Sequence, residues 1–180
     1  MPNASPSPAA KSAAGKTKSP ARKTSGARGQ DAIAMLKADH RAVEKLFSQF
    51  EKARGDERKE QLARKIIMEL RVHMQIEEEI FYPTSRDFLK DESIVDEAVV
   101  EHQAAKDLME QIEAMEPSDE MYDAKVTVLQ EQIEHHVEEE ETKYFPKVRK
   151  TAMDTKAAGA QMKARKDELT AQMDGAAATH

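Results

Sequence analysis

At 180 residues the chain has room for one domain with extensions, and with no Cys it excludes disulfides, thiolate metal ligands and cysteine nucleophiles. Aromatic residues are only 4%, Gly numbers six and Met ten, a helix-rich composition with little strand signal. Residues 1–30 carry six Lys/Arg and no acid, and residues 151–180 carry four charges of each sign, so removing that +6 from the total of −6 leaves −12 on residues 31–150, a balance that does not suit nucleic acid.

Residues 1–30 hold Ala, Ser, Pro, Gly, Lys and Arg with no large apolar residue after Met1. Such a segment has nothing to bury and is expected to be a disordered, solvated basic tail. Six cationic side chains without aromatic interleaving are a weak signal for a nucleic-acid arm. No apolar run approaches the ~20 residues of a membrane span. No apolar segment near the start marks a secretory signal, so the expected location is cytoplasmic.

The next segment, 31–150, reads as four helices. The first starts at Asp31, a favoured N-cap residue, and ends before Gly55. The second runs from Asp56 to Tyr82, where Pro83 should stop it. The third starts at Ser93, with Asp96 completing a weak capping box, and ends near Met115 ahead of Pro117. The fourth runs from Ser118 or Asp119 to Phe145, with Pro146 at its stop. Short connections make neighbours antiparallel, giving an all-α, up-down-up-down four-helix bundle. A further helix is expected over Thr151–Met173, within a C-terminal extension spanning 151–180. Its stripe of Met162, Leu169 and Met173 is thin and Gly159 weakens it.

Each bundle helix has an apolar stripe stepped by three and four residues, and each stripe has a His at its middle. The stripes are Ile33, Leu36, His40, Val43, Phe47; then Leu62, Ile66, Leu70, His73, Glu77, Ile80, Phe81; then Val95, Val99, His102, Ala105, Met109; then Val126, Leu129, Ile133, His136, Glu140, Tyr144. Glu77 and Glu140 follow His73 and His136 by four residues and so share their faces. A carboxylate on a core-facing stripe is costly unless it has a partner, and a metal ion is the obvious one. The pattern also repeats: His40 to His102 is 62 residues, while His73 to His136, Glu77 to Glu140 and Pro83 to Pro146 are each 63. Two similar hairpins related by an approximate two-fold axis are implied, which brings the two His-x-x-x-Glu units face to face.

Four imidazoles and two carboxylates form a nitrogen/oxygen set suited to iron, manganese or zinc. Two carboxylates can bridge two metals with two His on each, and a bridging oxo or hydroxo group then leaves an open position for a small ligand.

The order His40, His73-x3-Glu77, His102, His136-x3-Glu140, with Phe-Tyr-Pro and Tyr-Phe-Pro after the paired motifs, resembles the hemerythrin-like (HHE cation-binding) domain over residues 31–150. The resemblance implies a carboxylate-bridged, non-haem di-iron centre in an antiparallel bundle, with His40, His73, Glu77, His102, His136 and Glu140 as ligands. It also implies chemistry with peroxide, dioxygen or nitric oxide, or iron handling. The oxygen-carrier branch of that family has a further His where this chain has Lys106, and an Asp at the place of Glu141. The pattern is closer to bacterial proteins with four His and two Glu, linked to peroxide breakdown, nitric-oxide stress and iron–sulfur repair. The repair proteins usually carry a Cys-bearing module, and this chain has no Cys.

Other polar residues get plainer expectations. Glu44, Glu78, Glu79, Glu138, Glu139 and Glu141 are read as solvated, with Glu141 able to turn inward. His135 and His180 lie off the stripes and receive no role. Phe81, Tyr82, Tyr144 and Phe145 are assigned to core packing. No P-loop, Gly-x-Gly-x-x-Gly, His-Glu-x-x-His or Glu-x-x-His occurs, and the last absence counts against a ferritin-like di-iron design.

Overall fold

A computed structural model describes residues 30–177, so the expected basic tail and His180 lie outside the described residues. The first helix is α1 (Ala32–Lys52). The second, α2 (Asp56–Ile76), runs into a π turn (Glu77–Phe81) and on into α3 (Tyr82–Arg86). The second half repeats this plan with α4 (Ser93–Glu113), α5 (Tyr122–Glu139), a π turn (Glu140–Tyr144) and α6 (Phe145–Arg149). The last helix described is α7 (Thr155–Ala177). Among the described residues there is no strand. The predicted antiparallel four-helix bundle is present: α1 packs on α2, α4 on α5, and α7 lies across α1 and α2 as the extra helix.

The helix starts follow local chemistry. Asp31 caps α1 by accepting a hydrogen bond from the Ala34 amide at 3.2 Å, as the sequence predicts. Gly55, at φ 81°, makes the left-handed turn into α2. The Ser93–Asp96 capping box does not form. Asp91 accepts from the Ser93 amide at 3.1 Å instead, and Asp96 binds Arg86 at 2.6 Å. Asp119 closes a turn on the Glu116 amide at 2.9 Å, so α5 begins only at Tyr122.

Neither Pro83 nor Pro146 stops its helix. A proline ring in a regular helix collides with the carbonyl four residues back. Here the turn just ahead of each proline is widened: the Tyr82 amide bonds Glu77 O and the Phe145 amide bonds Glu140 O, each five residues back. The wide turn also moves the buried stripe one position along. Phe81, Tyr82 and Ser85 are buried where a regular helix would have turned Ile80 inward, and Tyr144, Phe145 and Val148 are buried while Lys143 and Lys147 stay exposed.

The extra helix is docked through Ala158, Met162 and Leu169. Gly159 permits that close approach, because a Cβ there would lie 2.0 Å from Gln30 O and 2.7 Å from Ala32 N. The bundle interior divides into two apolar clusters, one around Phe47, Ile66, Met109 and Leu129, the other around Leu36, Ile76, Phe81 and Val95. Between them lies a layer of buried polar side chains.

Candidate metal centre

That layer consists of His40, His73, Glu77, His102, His136 and Glu140, all at most 5% exposed. The structure brings together every residue that the sequence singles out. The imidazoles meet in pairs. His40 Nε2 lies 3.2 Å from His73 Nε2, and His102 Nε2 lies 3.2 Å from His136 Nε2. The two carboxylates span the pairs. Glu77 Oε2 is 3.2 Å from His73 Nε2 and 3.4 Å from His102 Nε2. Glu140 Oε2 is 3.3 Å from His40 Nε2 and 3.6 Å from His136 Nε2. Two groups able to hold an ion result, and Glu77 belongs to both: His40, His73, Glu77 and Glu140, and Glu77, His102 and His136.

An outer ring of carboxylates faces the other ring nitrogens. His40 Nδ1 is 2.9 Å from Glu141, His102 Nδ1 is 2.9 Å from Glu78, and His136 Nδ1 is 2.7 Å from Glu101. Asp39 stands 3.6 Å from His73 Nδ1. A carboxylate can only accept, so Nδ1 of His40, His102 and His136 carries the proton and Nε2 presents its lone pair to the centre. The expectation that Glu78 is solvated is corrected: the widened turn swings it against His102, and Lys106 holds it at 2.6 and 2.7 Å. Glu141 turns inward, where Lys37 and Arg41 also reach it. Glu101 and Asp39 were missed. Their signal was available, since each directly precedes an inward His and therefore borders the same seam.

Tyr82 is also more than packing. Its hydroxyl lies 3.1 Å from His102 Nε2 and donates to Glu140 Oε1 at 3.3 Å. Burial and the charges of Glu77 and Glu140 push its pKa well up, so the phenol keeps its proton. Tyr144 instead bonds Ser85 at 2.5 Å, and the Phe145 ring stacks on His40 at 5.9 Å.

Without a cation the layer is electrostatically unsatisfied. Both oxygens of Glu77 and Oε2 of Glu140 are buried with no hydrogen bond. Burial and the charge of Glu140 push the Glu77 carboxyl well up. Burial would also raise Glu140, but His136 and His40 outweigh it and hold that carboxyl down. Burial lowers His73 to about 4. With Nδ1 protonated on both His102 and His136, their Nε2 lone pairs face each other at 3.2 Å and repel unless positive charge lies between them. Donors about 2.1 Å from one ion and at right angles sit about 3 Å apart, so the observed spacing suits shared coordination. The orphaned oxygens and the nitrogen/oxygen donor set fit a pair of hard-to-borderline divalent or trivalent ions.

Comparison with known proteins gives the same frame. The family model described as the Hemerythrin HHE cation binding domain matches residues 31–148. A DNA nickase from Nostoc sp. (strain PCC 7120) is 29% identical over 150 residues, covering 82% of this chain but 42% of the nickase, so the chain spans under half of that relative's length. A crystal structure of a hemerythrin HHE cation binding domain-containing protein from Mycobacterium kansasii has a TM-score of 0.68 at 22% identity, covering 79% of this chain and 89% of that one, which shows a shared fold.

Proposed function

The chain belongs to the hemerythrin HHE cation-binding family, and from that premise we propose that His40, His73, His102, His136, Glu77 and Glu140 hold two non-haem iron ions which bind or react with peroxide, dioxygen or nitric oxide. The observation that carries this reading is the pairing of four imidazole nitrogens around two carboxylates whose buried oxygens have no hydrogen bond. Iron supplies the redox change and the open coordination position that such ligands need.

The protein's own groups divide the remaining work. Glu77 and Glu140 each reach across both His pairs and so would hold bound ions together as shared carboxylate ligands. Glu141, Glu78 and Glu101 fix the tautomer of three of the four imidazoles. Tyr82 keeps a phenolic proton beside His102 and Glu140, where it can donate to a small ligand. A cavity of about 10 Å³ beside the four His is walled by Val43, Leu70, Met74, Ile133 and Val137. That is the space of roughly one water, so the ligand is diatomic or peroxide-sized. The apolar walls keep out bulk water and charged substrates.

Anaerobic titration with ferrous iron, read by metal analysis, is expected to saturate at about two ions per chain. Air or peroxide should then raise a near-ultraviolet charge-transfer band. His136→Ala should lose that band and the second ion. A folded wild-type chain that takes up no iron overturns the reading. Oxygen release from added peroxide separates a peroxide-degrading enzyme from a carrier or sensor, which would bind without turnover.

A second reading is favoured by the six Lys/Arg and absent acids of residues 1–30 and by the likeness to the nickase: contact with DNA. A low-salt DNA shift assay with and without residues 1–30 tests it, and unchanged binding removes the tail from consideration.

A further inference from the structure

Outside the centre, and among the described residues, one more set of side chains has the chemistry of a metal site. Glu101 of α4 and His135 and Glu139 of α5 place ligand atoms within 4.8 Å of one another. His135 Nε2 is 3.7 Å from Glu101 Oε1 and 4.0 Å from Glu139 Oε1, spacings too long for hydrogen bonds. The His135 side chain is 64% exposed, so the cluster opens to solvent. Lys143 pairs with Glu139 here, and a divalent ion with three donors would displace that single ammonium.

Glu101 faces two ways. Its Oε1 looks toward His135 on the surface, and its Oε2 accepts from His136 Nδ1 at 2.7 Å inside. Behind it runs a cavity of about 10 Å³, roughly one water wide, lined by Glu101, Glu139, His136, Glu140 and Tyr144. On its wall Glu140 is 2% exposed, and its Oε2 has no hydrogen bond. The cavity therefore joins Glu101 and Glu139 of the surface set to Glu140, a buried carboxylate of the centre.

The other half of the bundle lacks this arrangement. Stepping back by the repeat, His135 corresponds to Val72 and Glu139 to Ile76. Both are buried, 3% and 0% exposed, in the apolar cluster that α7 completes. Only the half that α7 leaves open has ligands at these places.

We propose that Glu101, His135 and Glu139 form a second cation site, a transient acceptor from which ferrous iron or another divalent first-row ion passes along this cavity to the buried centre. The proposal rests on the di-iron reading above. An ion held by Glu101, His135 and Glu139 would give up those donors as it moved along the cavity, where Glu140 is the next carboxylate on the wall.

The test is the rate of anaerobic ferrous uptake by the metal-free full chain, with the final iron content measured beside it. His135→Ala removes a neutral ligand without altering charge, and it should slow uptake about tenfold while leaving the final content unchanged. Glu139→Gln should slow it likewise, and Glu138→Gln, an equal charge change off the cluster, should not. Uptake by His135→Ala at the wild-type rate overturns the proposal. So does an equal slowing by Glu138→Gln, which would mean that the acidic face acts only through its charge. A wild-type chain that takes up no iron sinks the di-iron reading itself. Full loading at an unaltered rate sinks only the surface site.

Discussion

Asp39 and Glu101 stand in matching places in the two halves of the bundle, one residue before His40 and His102, and each turns toward the imidazole on the next helix. Glu101 reaches His136 Nδ1 at 2.7 Å, whereas Asp39 stays 3.6 Å from His73 Nδ1. Asp is one methylene shorter, and Lys166 of α7 draws it the other way at 2.5 Å. His73 Nδ1 is consequently buried without a hydrogen bond, and burial takes its pKa down to about 4. At His136 burial also lowers the pKa, but Glu140 and Glu101 outweigh it and leave the imidazole raised. The inner donors repeat because both hairpins carry the same stripe. The outer donors diverge because α7 covers one hairpin and not the other.

The two halves should differ most at Glu77 and Glu140, the carboxylates shared between the His pairs. Glu77→Gln and Glu140→Gln should each weaken iron binding by more than about 100-fold, beyond the 10–100-fold typical of outer partners. Their effects on the metal-free chain should have opposite signs. Glu77 is held against its charge by burial and by Glu140, so Glu77→Gln should stabilise the metal-free fold by about 1–3 kcal/mol. Glu140 is ionised and held by His136 and His40, so Glu140→Gln should destabilise it by a similar amount. Thermal melts in chelator read both. Shifts of the same sign would show that the two halves share the strain equally.

The outer ring sharpens the contrast at the next level down. Glu101→Ala should cost about 10–100-fold in equilibrium iron affinity, because it frees the His136 tautomer. Asp39→Ala should cost only a fewfold, since no hydrogen bond to His73 is lost. Asp39→Glu restores the missing methylene and should tighten binding. Competition with a chromogenic chelator measures all three, and equal losses at Asp39 and Glu101 would remove the distinction.

The six inner donors were legible in the sequence because a His or Glu on a Leu-like stripe stands out against a 3.6-residue period. The bundle, the paired hairpins and the Asp31 cap were legible for similarly local reasons. The π turns were not. A helix followed by proline reads as a stop, and only the packed structure shows that widening one turn lets the chain continue past it; the burial of Tyr82 and Phe145 agrees with their expected core packing. Glu78 and Tyr82 moved into the site for that same reason, since a fixed period places both one position off. Docking of α7 was hidden too. Gly159 reads as a weak point in an isolated helix, whereas here the lack of a side chain is what lets the helix reach α1.

Gly159→Ala tests whether α7 is what keeps Asp39 from His73. The added methyl would lie 2.0 Å from a backbone oxygen, so the helix must lift. Lifting limits the cost to the lower part of about 1–3 kcal/mol. With Lys166 withdrawn, Asp39 is free to swing to His73. Iron affinity in this variant should therefore hold or rise while the melting temperature falls. A parallel loss of both would show that α7 supports the centre rather than competing with it.

The smallest effect lies at the seam where α7 meets the bundle. Asp31 caps α1 and also accepts hydrogen bonds from Arg149, at 2.5 and 2.8 Å, and from Thr155 at 2.5 Å. Partial burial opposes ionisation, but these bonds and the Ala34 amide overcome it and bring the carboxyl from 3.8 to about 2. A folded-state pKa below the unfolded one stabilises the protein above pH 3.8, and that stability drains away as pH falls toward 2. Asp31→Asn keeps a competent cap and loses the charge, so it should cost about 1 kcal/mol or less at neutral pH. The gap between wild type and variant in urea melts should close steadily below pH 4 and vanish only below about pH 2. A gap that stays constant across that interval would mean that Asp31 acts by shape alone and that its ion pair with Arg149 adds nothing to the covered half.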